Sequence, residues 1–79
     1  PNPFNPATTI PFSLDRTSPV TLAVYNIAGE KVATLIDSRP LPAGSHNVVW
    51  HADGYASGVY FVRIEAGRFA ATRKMLLLK

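Results

Sequence analysis

Apolar residues recur at every second position along most of the chain. Ile10, Phe12 and Leu14 alternate with Pro11 and Ser13, the period-two pattern of a half-buried strand. Pro11 has no N–H for a ladder, so this strand belongs at an edge, or turns the Pro11 nitrogen away from its neighbour. After the turn at DRTSP, Val20, Leu22 and Val24 share one face of a second strand, and Thr21, Ala23 and Tyr25 the other. The connection AGE is tight. In KVATLI, Val32, Leu35 and Ile36 also fit helical spacing, but the short length and β-branched content favour a strand. DSRPLPAG reads as a Pro- and Gly-rich loop. In SHNVVWHA, alternation returns: His46, Val48 and Trp50 on one face, Asn47, Val49 and His51 on the other. DGYASG is a turn-rich connector, and GVYFVRIE is a strongly β-prone run.

The last segment, RFAATRKMLLLK, is rich in good helix formers. A helical stripe there would contain Thr72 and Arg73. As a strand, Phe69, Ala71, Met75 and Leu77 share a face interrupted only by Arg73. With Ala66-Gly67 as a two-residue turn, Glu65 faces Arg68, Ile64 faces Phe69 and Val62 faces Ala71. Charge, apolar pairing and turn chemistry then agree, which favours the strand. The result is six or seven short strands, spaced as in an antiparallel sandwich, and an all-β fold. At the N-terminus, Asn-Pro pairs in PNPFNP disfavour helix, so residues 1–6 should form an extended lead-in with Phe4 as its anchor.

Composition narrows the class. A chain of 79 residues is one small domain that buries only about 60% of its unfolded surface. It has no Cys, so disulfides and thiolate zinc sites are excluded. Its hydrophobic content is 47%, enough for a folded domain. Apolar runs are far too short to span a membrane as a helix, and no signal-peptide pattern opens the chain. The first residue is Pro, which reads as a piece of something longer. The net charge of +3 is spread along the chain. Solvated surface cations account for it, and no nucleic-acid module appears.

The chain offers little to catalysis. Asp15, Glu30, Asp37, Asp53 and Glu65 fall at predicted turns or strand ends, where no apolar surroundings would raise a carboxyl pKa. His46 and His51 should face opposite sides of one strand, about 17 Å apart at roughly 3.3 Å per residue, and cannot share a metal. No nucleophile elbow, phosphate loop or dinucleotide fingerprint occurs, and Asp53-Gly54 lacks the further acids of a calcium loop. No cofactor is expected, and the chain reads as a non-enzyme. Trp50 reads as core; Tyr55, in a loop, is the aromatic expected to be exposed.

The ordered words PNPFNPATTIPFSL, VTLAVYNIAGEKVATLI, LPAGSHNVVWHADGYASGVYFVRIEAG and TRKMLLLK together resemble the type A C-terminal sorting domain of the type IX secretion system. The resemblance rests on Pro1-Asn2-Pro3-Phe4, Val24-Tyr25, Gly29, Gly44 with His46 and Trp50, Gly58-Val59-Tyr60, and Lys74-Met75. One departure is visible: many relatives have Trp-Asp where this chain has Trp50-His51. The resemblance implies a small immunoglobulin-like antiparallel β-sandwich of six to seven strands, spanning residues 1–79 as a single domain. It implies a signal at the C-terminus of a larger secreted protein, whose N-terminal parent domains are carried across the outer membrane. The implied partners are an outer-membrane shuttle protein, the translocon and a sortase-like cysteine peptidase. The last of these would remove the domain and attach the parent to the cell surface. The implied route runs through the periplasm to the cell surface or the extracellular space. The family's signal segments map onto Gly58, Val59 and Tyr60, and onto Lys74, Met75, Leu76, Leu77, Leu78 and Lys79. The alternative is an Ig-like accessory module of a secreted enzyme: a spacer, a carbohydrate-binding domain, or a relative of flagellar hook-capping domains. The short interval between Trp50 and Gly58 favours the sorting form.

The strand register divides the terminal apolar run. Met75 and Leu77 are expected to help close the core. Leu76 and Leu78 are expected to face outward, as a docking surface open to strand addition.

Overall fold

A computed structural model describes residues 7–79. The expected lead-in of residues 1–6, with Phe4, lies outside the described residues. Six strands follow one another: β1 Ala7–Leu14, β2 Ser18–Asn26, β3 Lys31–Leu41, β4 Gly44–His51, β5 Gly58–Ala66 and β6 Phe69–Leu77. β1 and β4 form a two-stranded sheet, and the other four form a sheet in the order β3-β2-β5-β6. Every pairing is antiparallel.

The alternation seen in the sequence decides which faces meet. Ile10, Phe12, Leu14 and Trp50 of the small sheet join Val20, Leu22, Val24, Tyr60, Val62, Ile64 and Leu77 of the large one in a single buried cluster. The molecule is thus a small β-sandwich, as expected. Trp50 is 2% exposed. Its ring meets that of Tyr60 edge-on at 5.2 Å and that of Tyr55 at 5.3 Å. Pro11 lies in β1 and Pro40 in β3, both edge strands where the missing N–H costs least, while Pro19 stands at the start of the central strand β2, before its pairing with β5 begins at Val20. His46 stacks on Phe12, and its Nε2 lies 2.7 Å from the Pro42 carbonyl oxygen; His51, on the opposite face, is exposed.

Four expectations need correction. The first concerns DSRPLPAG. Residues 37–41 continue β3 instead of looping out, with Pro40 opposite Pro19 and Leu41 opposite Ser18. Ser38 absorbs the irregularity at φ 49°, and its N–H donates to Thr21 Oγ1 at 3.1 Å. A bulge lets the strand carry residues whose composition signals a turn.

The second correction is the last hairpin. Ala66 pairs with Phe69, Ile64 with Ala71 and Val62 with Arg73, so Gly67 and Arg68 form the turn. Gly67 has φ 59°, which fits the first central position of a type II′ turn, a conformation Ala66 would adopt only with strain. The Glu65–Arg68 pair therefore does not form. Glu65 instead accepts from Arg63 Nε at 2.9 Å, an exposed pair of about 0–1 kcal/mol. The slip is two residues, so every side chain keeps its predicted face.

Third, Phe69 lies on the inner side, opposite Ala66, yet is 60% exposed. It stands at the rim of an open cleft shared with Leu14, Arg16 and Arg68, where the small sheet has ended. Fourth, Tyr55 is half-buried rather than exposed. Its hydroxyl donates to the Val32 carbonyl at 2.8 Å. Tyr55→Phe should lower stability by about 0.5–1.5 kcal/mol in urea unfolding, the net worth of such a bond; an unchanged midpoint would show the bond contributes nothing.

The interrupting Arg73 also finds a role. It projects from β6 across the open side of the sandwich and donates to the Pro11 carbonyl of β1. Thr9, Pro11, Arg73 and Met75 line one small cavity there. Leu14 shares the larger cleft with Phe69, while Thr9 shares this cavity with Met75, so β1 and β6 run in opposite directions on the two layers and the start of β1 lies at the end of β6.

Candidate functional site

Gly58-Val59-Tyr60 and the terminal run are separate in the sequence. Antiparallel pairing of β5 and β6 brings them together: Gly58 faces Leu77, Val59 faces Leu76, and Tyr60 faces Met75. Residues directly opposite share a face of the sheet, so this patch has two sides. Tyr60, Met75 and Leu77 point inward, with Tyr60 and Leu77 buried and Met75 half-buried against the core. The Tyr60 hydroxyl donates to the Ala56 carbonyl at 2.7 Å, which fixes the loop before β5. Val59 and Leu76 point outward. Leu76 is 61% exposed and Leu78, just past the strand, 72%. Leu77, between them, is 5% exposed. The expected division of the terminal run therefore holds residue by residue.

Position in the sheet adds to this. β6 is the outer strand of the four-stranded sheet, so one side of its backbone has no strand partner there. An edge carrying exposed leucines is a template for association unless something restrains it. Lys74 and Lys79 flank the run, and both are exposed. The Lys79 N–H donates to Ser57 Oγ at 3.1 Å, which ties the chain end back to the loop preceding Gly58. Ile27, at the tip of the β2–β3 turn, is a further exposed apolar residue at this end of the molecule.

The family model for the secretion system C-terminal sorting domain matches residues 1–78. The chain belongs to that family. No curated protein and no solved structure matches it. The sorting domain is a C-terminal signal for type IX secretion. Such a signal implies an N-terminal cargo protein and the type IX machinery, with the cell surface or extracellular space as destination. No helix among the described residues is long and apolar enough to cross a membrane.

The sequence reading missed residues that the sorting domain presents beside the terminal run. Phe61 faces Lys74 on one side and Tyr25 on the other, and Tyr25 in turn faces Lys31. Tyr25 and Phe61 stand at outward positions of their own strands, which the alternation does reveal. Their adjacency depends on β2 pairing with β5, a long-range contact that no local pattern encodes. The carbohydrate-binding version of the accessory-module reading loses the one aromatic expected to be exposed for sugar stacking, because Tyr55 packs against the core and is hydrogen-bonded.

Proposed function

We propose that residues 1–79 act as a single, non-catalytic sorting domain read at the end of a larger secreted parent. The reading surface consists of Gly58, Val59 and Tyr60 with Lys74 to Lys79. Tyr60, Met75 and Leu77 anchor it to the core, while Val59, Leu76, Leu78 and the flanking lysines meet the partner. That partner is the outer-membrane shuttle protein of the type IX pathway, engaged during periplasmic transit; a sortase then removes the domain and attaches the parent to the cell surface. The observation that carries this reading is the pairing of the two family segments on an edge strand with Leu76 and Leu78 outward. An open strand edge suits strand addition, in which main-chain bonds give affinity and alternate side chains give selectivity.

The test is a fusion of residues 1–79 to a fluorescent cargo already delivered to the periplasm of a type IX host. The full fusion should reach the surface or the medium, and a version lacking Lys74–Lys79 should stay in the periplasm. Equal export of both, or retention of the full fusion, would contradict the reading. Sortase action is read separately: mass spectrometry of the exported cargo should find its C-terminus ahead of the β-sandwich, and an intact fusion at the surface would exclude removal.

A further inference from the structure

We infer that the outer face of the four-stranded sheet carries a second contact surface, the row Lys31–Tyr25–Phe61–Lys74, which receives a polypeptide partner with an apolar centre and acidic flanks. The inference rests on the sorting reading above and extends it beyond the terminal strand.

The row follows from the register. Lys31 faces Tyr25, Tyr25 faces Phe61, and Phe61 faces Lys74, so one residue from each strand lies in line across the sheet. Three strand spacings separate the two lysines, about 14 Å at roughly 4.8 Å each. Tyr25 and Phe61 are half-buried, and both lysines are exposed. Strand alternation puts these side chains on the face away from the core, where an ordinary solvated sheet would carry polar residues. Val59 and Leu76 lie two positions further along the same face. The apolar surface is therefore continuous from β2 to the terminal strand.

Charge identifies the occupant. Arg63 and Glu65 make the one ion pair among the described residues, so neither lysine of the row has a carboxylate partner there. Glu30, beside Lys31 in sequence, already accepts from the Asn26 amide at 2.7 Å. An aromatic centre between uncompensated cations resembles a protein interface core with a charged rim. A polypeptide with carboxylates flanking an apolar group satisfies both features, and the lysines would also favour its encounter.

The test uses the same cargo fusion, with the thermal unfolding of each variant measured beforehand. Tyr25→Ser with Phe61→Ser, and separately Lys31→Glu, should each lower export at least about tenfold, as loss of a hot-spot contact lowers affinity; Lys74 is left unaltered because it also belongs to the terminal reading surface. Lys31→Arg should preserve export. Failure of the unaltered fusion to be exported would overturn the sorting reading itself. Normal export of the unaltered fusion, of the aromatic pair and of Lys31→Glu would overturn only the second surface. Loss with the aromatic pair but not with Lys31→Glu would overturn the acidic partner. A variant whose unfolding midpoint falls sharply is replaced by Tyr25→Thr with Phe61→Thr, which keeps β propensity, and the same outcomes apply.

Discussion

Trp50→Ala should bring the domain to the edge of unfolding at 25 °C. Trp50 is 2% exposed, and it is the point where β4 of the small sheet meets Tyr60 of the large sheet and Tyr55 of the intervening loop. Truncating a buried Trp costs about 3–5 kcal/mol. A domain this small sits near the low end of native stability, about 5 kcal/mol in all. The loss therefore consumes most of what holds the fold. A thermal scan should show the midpoint lowered by more than about 10 °C, at about 4–8 °C per kcal/mol for a domain of this size. Val49→Ala is the internal control, since Val49 neighbours Trp50 in β4 but is 46% exposed; its effect should stay within about 0.5 kcal/mol. A Trp50→Ala domain that still melts cooperatively within a few degrees of the unaltered one would mean that the two sheets do not share one core.

Adjacent leucines of the terminal strand should respond oppositely to the same change. Leu77→Asp places a carboxylate at a position 5% exposed, in contact with the core. An unpaired charge there costs several kcal/mol, so the domain should unfold and export should fail with it. Leu76→Asp introduces the same charge at a position 61% exposed, where stability should change by less than about 0.5 kcal/mol. Export should nevertheless collapse, because the carboxylate occupies the proposed contact surface. The pair of measurements separates structure from signal in a way the deletion of Lys74–Lys79 cannot, since the deletion also removes Met75 and Leu77 from the core. Unimpaired export of a folded Leu76→Asp fusion would remove Leu76 from the reading surface.

Much of this was legible in the sequence because a strand's period is two. Alternation alone sorted Ile10, Phe12, Leu14, Val20, Leu22, Val24 and Trp50 to the inside, and it split Leu76 from Leu77. It survived even the wrong hairpin turn, because a slip by two residues leaves each side chain on its face. What failed was decided by backbone conformation. Gly67 rather than Ala66 opens the last turn because only glycine takes a positive φ without cost. The bulge at Ser38 carried β3 through residues whose composition signals a turn. Tyr55 looked exposed because a loop has no period from which to read its facing. The site was legible only in halves: the family resemblance marked Gly58–Tyr60 and Lys74–Lys79 separately, and pairing across the sheet makes them one patch.

Arg73's reach to Pro11 sets β1 against β6 head to tail, and this arrangement has a mechanical consequence. The cargo of a sorting domain precedes β1, and the proposed grip is on β6. Traction between cargo and grip then loads both outermost strands from the same end. β1 would be drawn from β4 starting at the Ala7–His51 pair, and β6 from β5 starting at the Gly58–Leu77 pair. Strands loaded this way peel one pair at a time, instead of resisting with all their pairs at once as they do in shear. Under the proposed grip, a steady pull between cargo and machinery should therefore separate these pairs in sequence from one end of the sandwich.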